Sequence, residues 1–490
     1  MRKILKLLTL PFLVSNLQAT TPETLTSDLL AVEHPVTAGE WLRAHPKDTL
    51  QSNAAALDVR SLTGNPFCAV STGQLKIAEE TLNRQIFFRI PDLNVLRLPA
   101  GDGPNKDLTA KCVLSEIVVQ STDDVPSLEA LLSRIQNDML STLGPGQSFY
   151  QGPREPYPIW VDFRGRGGTD WHRGGSRWIS GIDTFRHQLI AIGLTAAAQR
   201  IGASVNDALM RSTSEKMRAA RSFAAATKLP PAEIQRMQNL LEVDAVDQWP
   251  QTPSPKRRLE IPQAAAFIVN WVKQSRSLSP DRCAAGLYTA DVVLTYLPLF
   301  ISENTSAPLS RKALDAATAR IRSQLSGAGA HYEYNALGAS YNYEHDWVQE
   351  AFKAAPDSLA GQQAFLFLLD QAFNPGCCWS GNGFENVIKR APQYLREHPQ
   401  WNIRSQILLA IGDAYRDKIA IANGANGDPF GDAARLAPSG KESYREALRY
   451  YRAAVTASPG TDSANQALAE AWALEAGLPP LDTRFVRIYD

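Results

Sequence analysis

The second half of the chain contains one helix-start pattern three times. It occurs in "AAPDSLAGQQAFLFLLDQA", "EHPQWNIRSQILLAIGDAY" and "ASPGTDSANQALAEAWA", which begin at Ala354, Glu397 and Ala457. In each copy a glutamine follows a proline by seven residues, the pairs being Pro356 and Gln363, Pro399 and Gln406, and Pro459 and Gln466. A proline cannot continue the preceding helix, and stacked helix pairs repeat their start signal because one pair cannot bury its apolar face alone. The pattern therefore predicts an array of helical hairpins.

The copy that begins at Glu397, together with the helix that follows it, resembles the tetratricopeptide repeat (TPR). The residues at the spacings of helix A and helix B are Leu408, Ile411, Gly412, Tyr415, Ala447, Tyr451, Ala454 and Pro459. "FENVIKRAPQYLREHP" (384–399) also resembles a helix B, of the kind found in TPR-like proteins of the bacterial cell envelope. The resemblance covers about residues 340–476. It implies helical repeats that bind a protein or peptide partner in a concave groove, without catalysis.

The connection between the two helices departs from the family pattern. The family places nine residues between the tyrosine of helix A and the first alanine of helix B, whereas 32 positions separate Tyr415 from Ala447. The extra residues include "NGANGDPFGDAARLAPSG", whose glycines and prolines favour a surface loop. We therefore predict an inserted loop that leaves the helix packing intact.

The first residues, "MRKILKLLTLPFLVSNLQATT", have the pattern of a secretory signal. The basic residues Arg2, Lys3 and Lys6 precede an apolar run that ends near the small residue Ala19. This pattern predicts a signal peptide over residues 1–19 and export to the periplasm or the extracellular space. An amphipathic helix at the start of a cytosolic protein is the alternative. No later stretch reaches the roughly 18 uncharged apolar residues of a membrane helix.

Two regions of different character follow the signal. Residues 20–59 are predicted as an N-terminal helical segment, in which "WLRAHP" resembles the later "YLREHP". Residues 60–182 contain short β-branched and aromatic runs, such as "RQIFFRIP" and "CVLSEIVVQS", separated by Gly, Pro and Asp. With a helix over about 127–143, this region predicts a small α+β domain.

The cysteines fit an exported chain. Cys68 and Cys112 stand in two strand-like runs, and we predict a disulfide between them because an exported chain meets an oxidising compartment. Two buried thiols are the alternative. Cys283, Cys377 and Cys378 leave further pairing open. None of the spacings fits a zinc site, and we expect no metal and no cofactor.

From Asp183 the apolar residues of "DTFRHQLIAIGLTAAAQRIG" recur with a helical period, and Asp183 suits an N-cap. A helical segment is therefore predicted over 183–248 and a proline-rich linker over 249–261. Helical hairpins are expected over 262–339, and a tail over 477–490. The predicted fold class is mostly α: a helical-hairpin (TPR-like) array preceded by a small α+β domain.

A ligand site is conceivable in "VDFRGRGGTDWHRGGSRWISGID" (161–183). The candidate residues are Arg164, Arg166, Asp170, Trp171, His172, Arg173 and Arg177. Glycines let a ligand approach the backbone, and Arg and Trp recognise anionic or ring-bearing groups. A glycine-rich hairpin with solvated charges is the alternative. Asp170 and His172 could form an acid/base pair, but no nucleophile motif accompanies them.

"HYEYNALGASYNYEHDW" (331–347) is a second polar stretch. Its possible metal ligands are His331, Glu333, Glu344, His345 and Asp346, but no spacing fixes two ligands on one helix face. The four tyrosines favour packing between repeats, or a peptide-binding surface. We expect a packing role.

The charge balance, 50 basic against 50 acidic residues, gives no electrostatic reason to expect nucleic acid as a partner. The sequence therefore favours an exported, non-catalytic binding or scaffold protein that binds a protein or peptide partner in the cell envelope. The alternative is an envelope hydrolase acting on polysaccharide or peptide, with a site in 161–187 that would use Asp162, Asp170, His172 or His187.

Overall fold

The computed structural model of the chain divides into two compact units. Unit 1 consists of Met1–Gln51, Arg60–Arg89 and Val113–Arg200, and unit 2 of Ser52–Val59, Ile90–Cys112 and Ile201–Asp490. The residues described are 27–34, 36–51, 69–77, 80–91, 96–98, 105–121, 128–149, 168–183, 188–195, 216–241, 255–296, 311–335, 340–373, 381–423, 433–476 and 484–487.

Unit 1 is built on an eight-stranded antiparallel sheet. Its strands are β1 (Thr49–Gln51), β2 (Ala69–Ile77), β3 (Glu80–Arg89), β4 (Val113–Ser121), β5 (Gln147–Phe149), β6 (Gly168–Arg173), β7 (Ser176–Asp183) and β8 (Gln188–Leu194). They lie in the order β1-β2-β3-β4-β8-β7-β6-β5. A helix, Leu128–Leu143, also belongs to the unit. A sheet-containing domain followed by helices was predicted, but the sheet is larger than a small α+β domain.

The helix predicted from Asp183 is wrong where the structure describes it. Residues 188–194 form β8, which pairs with β4 on one side and with β7 on the other. Ile190 and Ile192 point to one face and Leu189 to the other, and all three are buried. A strand buried on both faces is a continuous apolar run, and periodicity does not separate such a run from a buried helix.

The N-terminal helical segment is also shorter than predicted. The helix Ala38–Ala44 begins with a capping box in which Thr37 and Glu40 bind each other's backbone N–H groups. Beyond it the chain forms β1, which pairs with β2. The helix ends where Pro46 follows, because the residue before a proline is driven out of the α conformation.

This helix end recurs before the three repeat prolines. Ala355, His398 and Ser458 end their helices with φ between −153° and −128° and ψ between 66° and 74°. His45, before Pro46, has φ −126° and ψ 69°. The predicted likeness of "WLRAHP" and "YLREHP" therefore corresponds to one shared backbone conformation.

Unit 2 is helical. Its main helices are 216–226, Pro231–Leu240, Pro255–Arg276, Pro280–Tyr296, Arg311–Ser326, Asp346–Ala354, Leu359–Asp370, Phe384–Glu397, Arg404–Ala422, Gly440–Ala457 and Asp462–Glu475. The predicted linker 249–261 is wrong from residue 255 onward, because a helix begins at Pro255. Proline is well suited to the first position of a helix. Pro262 lies inside that helix, as Pro392 lies inside Phe384–Glu397.

The predicted insertion after Tyr415 is only partly a loop. The helix Arg404–Ala422 continues two turns past Tyr415, and a short helix, Ala433–Leu436, precedes Gly440–Ala457. Residues 424–432 lie outside the described part of the chain.

In the described part of unit 2, buried side chains form two apolar cores. One gathers buried side chains from the helices of 216–296 and from the helices that begin at Asp346 and Leu359, with Trp271 and Trp347 fully buried. The other surrounds the helix Arg404–Ala422 and includes Phe365, Phe384 and Tyr451.

A buried ion cluster lies against the sheet of unit 1. Arg84, on β3, binds Asp28, and its Nη2 donates to both carboxylate oxygens of Asp48 over 2.7 and 2.6 Å. Trp41 Nε1 donates to the same Asp48 carboxylate over 2.9 Å. Side chains from the N-terminal segment thereby enclose the guanidinium.

The cysteine prediction is decided only in part. Cys112 is disulfide-bonded and Cys283 is a buried free thiol. Cys68, Cys377 and Cys378 lie outside the described residues. The pairing of Cys112 with Cys68 therefore stays a prediction.

Candidate functional site

The predicted ligand stretch forms a hairpin of β6 and β7 from residue 168 onward. The strands are joined at Gly174 and Gly175, whose φ angles of 60° and 84° favour glycine. Arg164 and Arg166 lie outside the described residues, as do Asp162 and His187.

Asp170, the carboxylate of the predicted acid/base pair, forms an ion pair with an arginine. Arg177 Nε donates to Asp170 over 3.1 Å and Arg177 Nη2 donates over 2.7 Å, and both side chains are buried. His172 Nε2 lies 3.2 Å from Asp170 Oδ1, while most of the His172 side chain is exposed. Because both carboxylate oxygens accept from Arg177, the arrangement is that of a buried ion pair rather than of a general base.

The remaining predicted site residues point elsewhere. Trp171 is buried on the opposite face of the sheet, and its Nε1 donates to the Gly144 carbonyl over 3.2 Å. Arg173 Nη2 donates to Glu33 over 2.8 Å. The stretch therefore brings together Asp170, His172 and Arg177, but not Trp171 or Arg173.

The second polar stretch forms a hydrogen-bonded network around Asp291. This fully buried carboxylate accepts from Tyr343 Oη over 2.7 Å and lies 2.9 Å from His345 Nδ1. Burial, together with the Asp291 charge, raises the pKa of Tyr343 well above its ordinary value. His345 has a φ of 54°, a left-handed conformation that is uncommon for a side-chain-bearing residue.

This network has the contacts of a packing element. His331 Nδ1 lies 2.9 Å from Asp346 Oδ1, and the Tyr332 and Tyr343 rings are in contact. Glu333 lies on the strand Tyr332–Asn335, and Glu344 directly follows its partner strand Ser340–Tyr343. Within the described ranges, no group of three or more His, Cys, Asp or Glu residues is suited to a metal ion.

A polar cavity of about 580 Å³ lies over the sheet of unit 1. Its uncharged side chains on one sheet face are Thr72, Gln74, Asn83, Gln85, Gln120 and Gln188. Gln120 Nε2 donates to Gln188 Oε1 over 3.0 Å. The sequence does not reveal this cavity, because amide side chains at alternate positions are equally typical of a strand face that is exposed to solvent.

The residues predicted for repeat packing are brought together in unit 2. Ala447 and Ala454 are fully buried, and a Cβ added at Gly412 would lie 2.5 Å from the Tyr451 ring. Leu408 and Ile411 are buried beside them, while Tyr415 stacks on Tyr450 and Pro459 lies between helices. Small residues here allow the helices Arg404–Ala422 and Gly440–Ala457 to approach closely.

The same helix, Arg404–Ala422, carries two buried carboxylates four residues apart, Asp413 and Asp417. Both bind the segment 484–487. Arg484 Nη1 donates to Asp413 over 2.8 Å, and the Phe485 backbone N–H donates to Asp417 over 2.7 Å. Arg484 Nη2 donates to Asp370 over 2.5 Å.

The segment is also held through its backbone and its apolar side chain. Val486–Arg487 pairs antiparallel with Gly381–Asn382. Phe485 is fully buried in the core that surrounds Arg404–Ala422. We call the set formed by Asp370, Gly381–Asn382, Asp413 and Asp417 the docking site. It receives a short segment, bent at 484 and 485 and paired as a strand at 486 and 487, through side-chain, backbone and apolar contacts together.

The docking site contains buried carboxylates. Desolvation raises the pKa of Asp417 from 3.8 to about 7, against the lowering effects of the Phe485 N–H and of Arg416. Asp413 also accepts from Tyr451 Oη over 3.0 Å. In the sequence, Asp413 and Asp417 stand one helical turn apart, but their spacing does not show what they bind.

No protein-family model matches this chain, and neither a curated protein nor a solved structure is significantly similar to it. Among the helices described, none combines the length and the apolar character needed to cross a membrane.

Replacing Ala454 by tryptophan is expected to lower the free energy of unfolding of unit 2 by about 1–3 kcal/mol, because the fully buried alanine leaves no room for a ring. Thermal melting and limited proteolysis after residue 402 measure the change. Ala457→Trp, at an exposed position of the same helix, is the matched control. Equal melting of both variants would contradict the described packing.

Proposed function

We propose that this chain is an exported, non-catalytic binding protein whose helical hairpins bind a segment of a protein or peptide partner in the cell envelope. The observation that carries the proposal is the docking site, because it holds a short segment in the manner of a bound peptide. Strand pairing supplies backbone hydrogen bonds, and side-chain contacts supply selectivity, a division common in peptide recognition.

The TPR-like interpretation of residues 340–476 supports the same function. Helices that pack through Gly412, Ala447 and Ala454 form hairpins of the kind that bind peptides in TPR proteins. The proposal adds that the binding helices are Leu359–Asp370 and Arg404–Ala422, which supply Asp370, Asp413 and Asp417.

The structure bears on one candidate residue of the hydrolase alternative. Asp170 is engaged by Arg177 through two donor nitrogens, while Asp162 and His187 lie outside the described residues. We therefore do not propose a catalytic role for this stretch.

Export rests on the basic and apolar pattern of residues 1–19 and agrees with a disulfide at Cys112. We expect the mature protein to begin near Thr20. N-terminal sequencing of the native product checks this, and a product that retains Met1 would argue against export.

Site-specific crosslinking tests the binding function. A photoreactive residue at Gln371, next to Asp370, should give crosslinked protein adducts in the native cell envelope. The same residue at Leu359, exposed at the start of the same helix, is the control. Adducts that are no more abundant at 371 than at 359 would contradict a partner at this site.

A further inference from the structure

We propose that the segment Arg484–Arg487 occupies this protein's peptide-binding site in cis, and that the partner is a peptide in which arginine is followed directly by phenylalanine and a β-branched residue. The inference rests on the proposed function and names the chemistry of its ligand.

Arginine is selected by two carboxylates that approach it from different helices. Asp370 ends the helix Leu359–Asp370, and Asp413 lies in the middle of Arg404–Ala422. Arg484 Nη1 donates to Asp413 and Nη2 donates to Asp370, over 2.8 and 2.5 Å. A planar guanidinium presents two nitrogens in a fixed fork, whereas a lysine ammonium presents one point charge. The site therefore favours arginine over lysine.

Phenylalanine is selected by an apolar pocket. The Phe485 side chain has no exposed surface and belongs to the same core as Phe365 and Phe384. A polar or charged side chain in this pocket would lose its hydration without gaining a partner. Val486, which follows, is also buried.

The backbone contacts do not depend on the side chains of the ligand. The Phe485 N–H donates to Asp417, and Val486 pairs opposite Asn382. A peptide that bends at the first two residues and continues as a short strand can make both contacts. The backbone contacts contribute affinity, and the side chains at 484 and 485 contribute specificity. Together they define an Arg-Phe motif.

The cis segment is suited to exchange. Its backbone pairing covers only two residues, so few backbone contacts must break before a partner peptide can enter, although Phe485 must also leave its pocket. Because the segment belongs to the same chain, its binding is intramolecular, which raises its effective concentration at the site. A partner must therefore bind more tightly than the cis segment, or reach a comparable local concentration.

The test uses a fluorescent peptide with the sequence LDTRFVRIYD, which is that of residues 481–490. It is titrated by anisotropy into the wild-type protein and into Arg484→Ala, which weakens the cis segment but retains Phe485 to fill the pocket when no peptide is bound. We expect the variant to bind the peptide at least about tenfold more tightly than the wild type. A peptide with alanine in place of its arginine should lose this binding, and one with lysine should bind weakly.

A second measurement needs no variant. An excess of unlabelled peptide should speed amide hydrogen exchange at 484–487 in the wild-type protein, while amides inside Arg404–Ala422 stay protected. Unchanged exchange at 484–487, or equal affinity of the arginine and alanine peptides, would overturn the inference.

The two proposals fail separately. If crosslinked adducts form at 371 but the peptide does not exchange, the binding function stands and the Arg-Phe segment is not the occupant of the partner's site. If the peptide exchanges but no adducts form, the Arg-Phe site is established and the proposal of a partner in the cell envelope is rejected.

Discussion

Arg84→Ala is expected to lower the free energy of unfolding of unit 1 by about 3–5 kcal/mol. The substitution leaves the carboxylates of Asp28 and Asp48 buried without the cation that both bind. It also removes the guanidinium from the Trp41 ring, whose centre lies 5.3 Å away. Because Asp28 and Asp48 belong to the N-terminal segment, that segment should become sensitive to protease before the sheet unfolds.

Denaturant unfolding measures the effect, with Arg173→Ala as the matched control. Arg173 also lies on a strand of this sheet and binds a carboxylate, that of Glu33, but its side chain is 43% exposed, against 5% for that of Arg84. Exposed ion pairs contribute at most about 1 kcal/mol. If both variants lose the same small amount, the cluster around Arg84 does not stabilise the unit as described.

The stability of unit 2 is expected to fall as the pH rises from about 4 to 7. The pKa of Asp417 is raised from 3.8 to about 7, so the folded state binds a proton over a range in which the unfolded state has lost it. Its contribution is complete below pH 4 and is lost as the pH passes through 7. One pKa unit corresponds to about 1.4 kcal/mol, which gives about 4 kcal/mol over the whole range.

Asp417→Asn should abolish this part of the pH dependence. The groups that face the carboxylate are Asp413 and Arg416 on its own helix, and Arg484 and the Phe485 N–H on the segment that binds it. Urea unfolding of wild type and variant at pH 5 and pH 8 gives the difference in slope. A wild-type stability that changes with pH in parallel with the variant would show that Asp417 titrates near its ordinary pKa.

Local sequence signals predicted the helix starts well. Helices begin at Leu359, Arg404 and Asp462, a few residues after the three prolines. Ser358 and Thr461 cap two of them by accepting from backbone N–H groups. Proline and a capping hydroxyl act within one turn, so their effect is visible in the sequence.

The prediction was wrong where the sequence pattern depends on how much of a segment is buried. Gln188–Leu194 was predicted as a helix because its apolar residues fit a helical stripe, but it is a central strand covered on both faces. A central strand has no polar face, so its sequence lacks the alternation that marks a half-buried strand. The pairing partner β4, which decides the matter, lies some 70 residues away.

The docking site was missed for a related reason. Asp417 and Phe485 are 68 residues apart, and Asp370 and Arg484 are 114 apart. Nothing in the periodicity of either segment shows that they meet. The residues of the 161–183 stretch were instead favoured for their density, and the structure separates those it describes, from residue 168 onward, onto two faces of a sheet.

The strand order of unit 1 bears on how the unit folds. β1 to β4 neighbour each other in chain order, as do β5 to β8, and the two halves meet only where β4 pairs with β8. Each half is a meander whose contacts are comparatively local, whereas the β4–β8 pairing closes a long loop and carries a larger entropic cost. Two sub-assemblies can therefore form early and independently. The β4–β8 pairing between them is expected to form last. It would then be the rate-limiting step that joins the eight strands into one cooperative sheet.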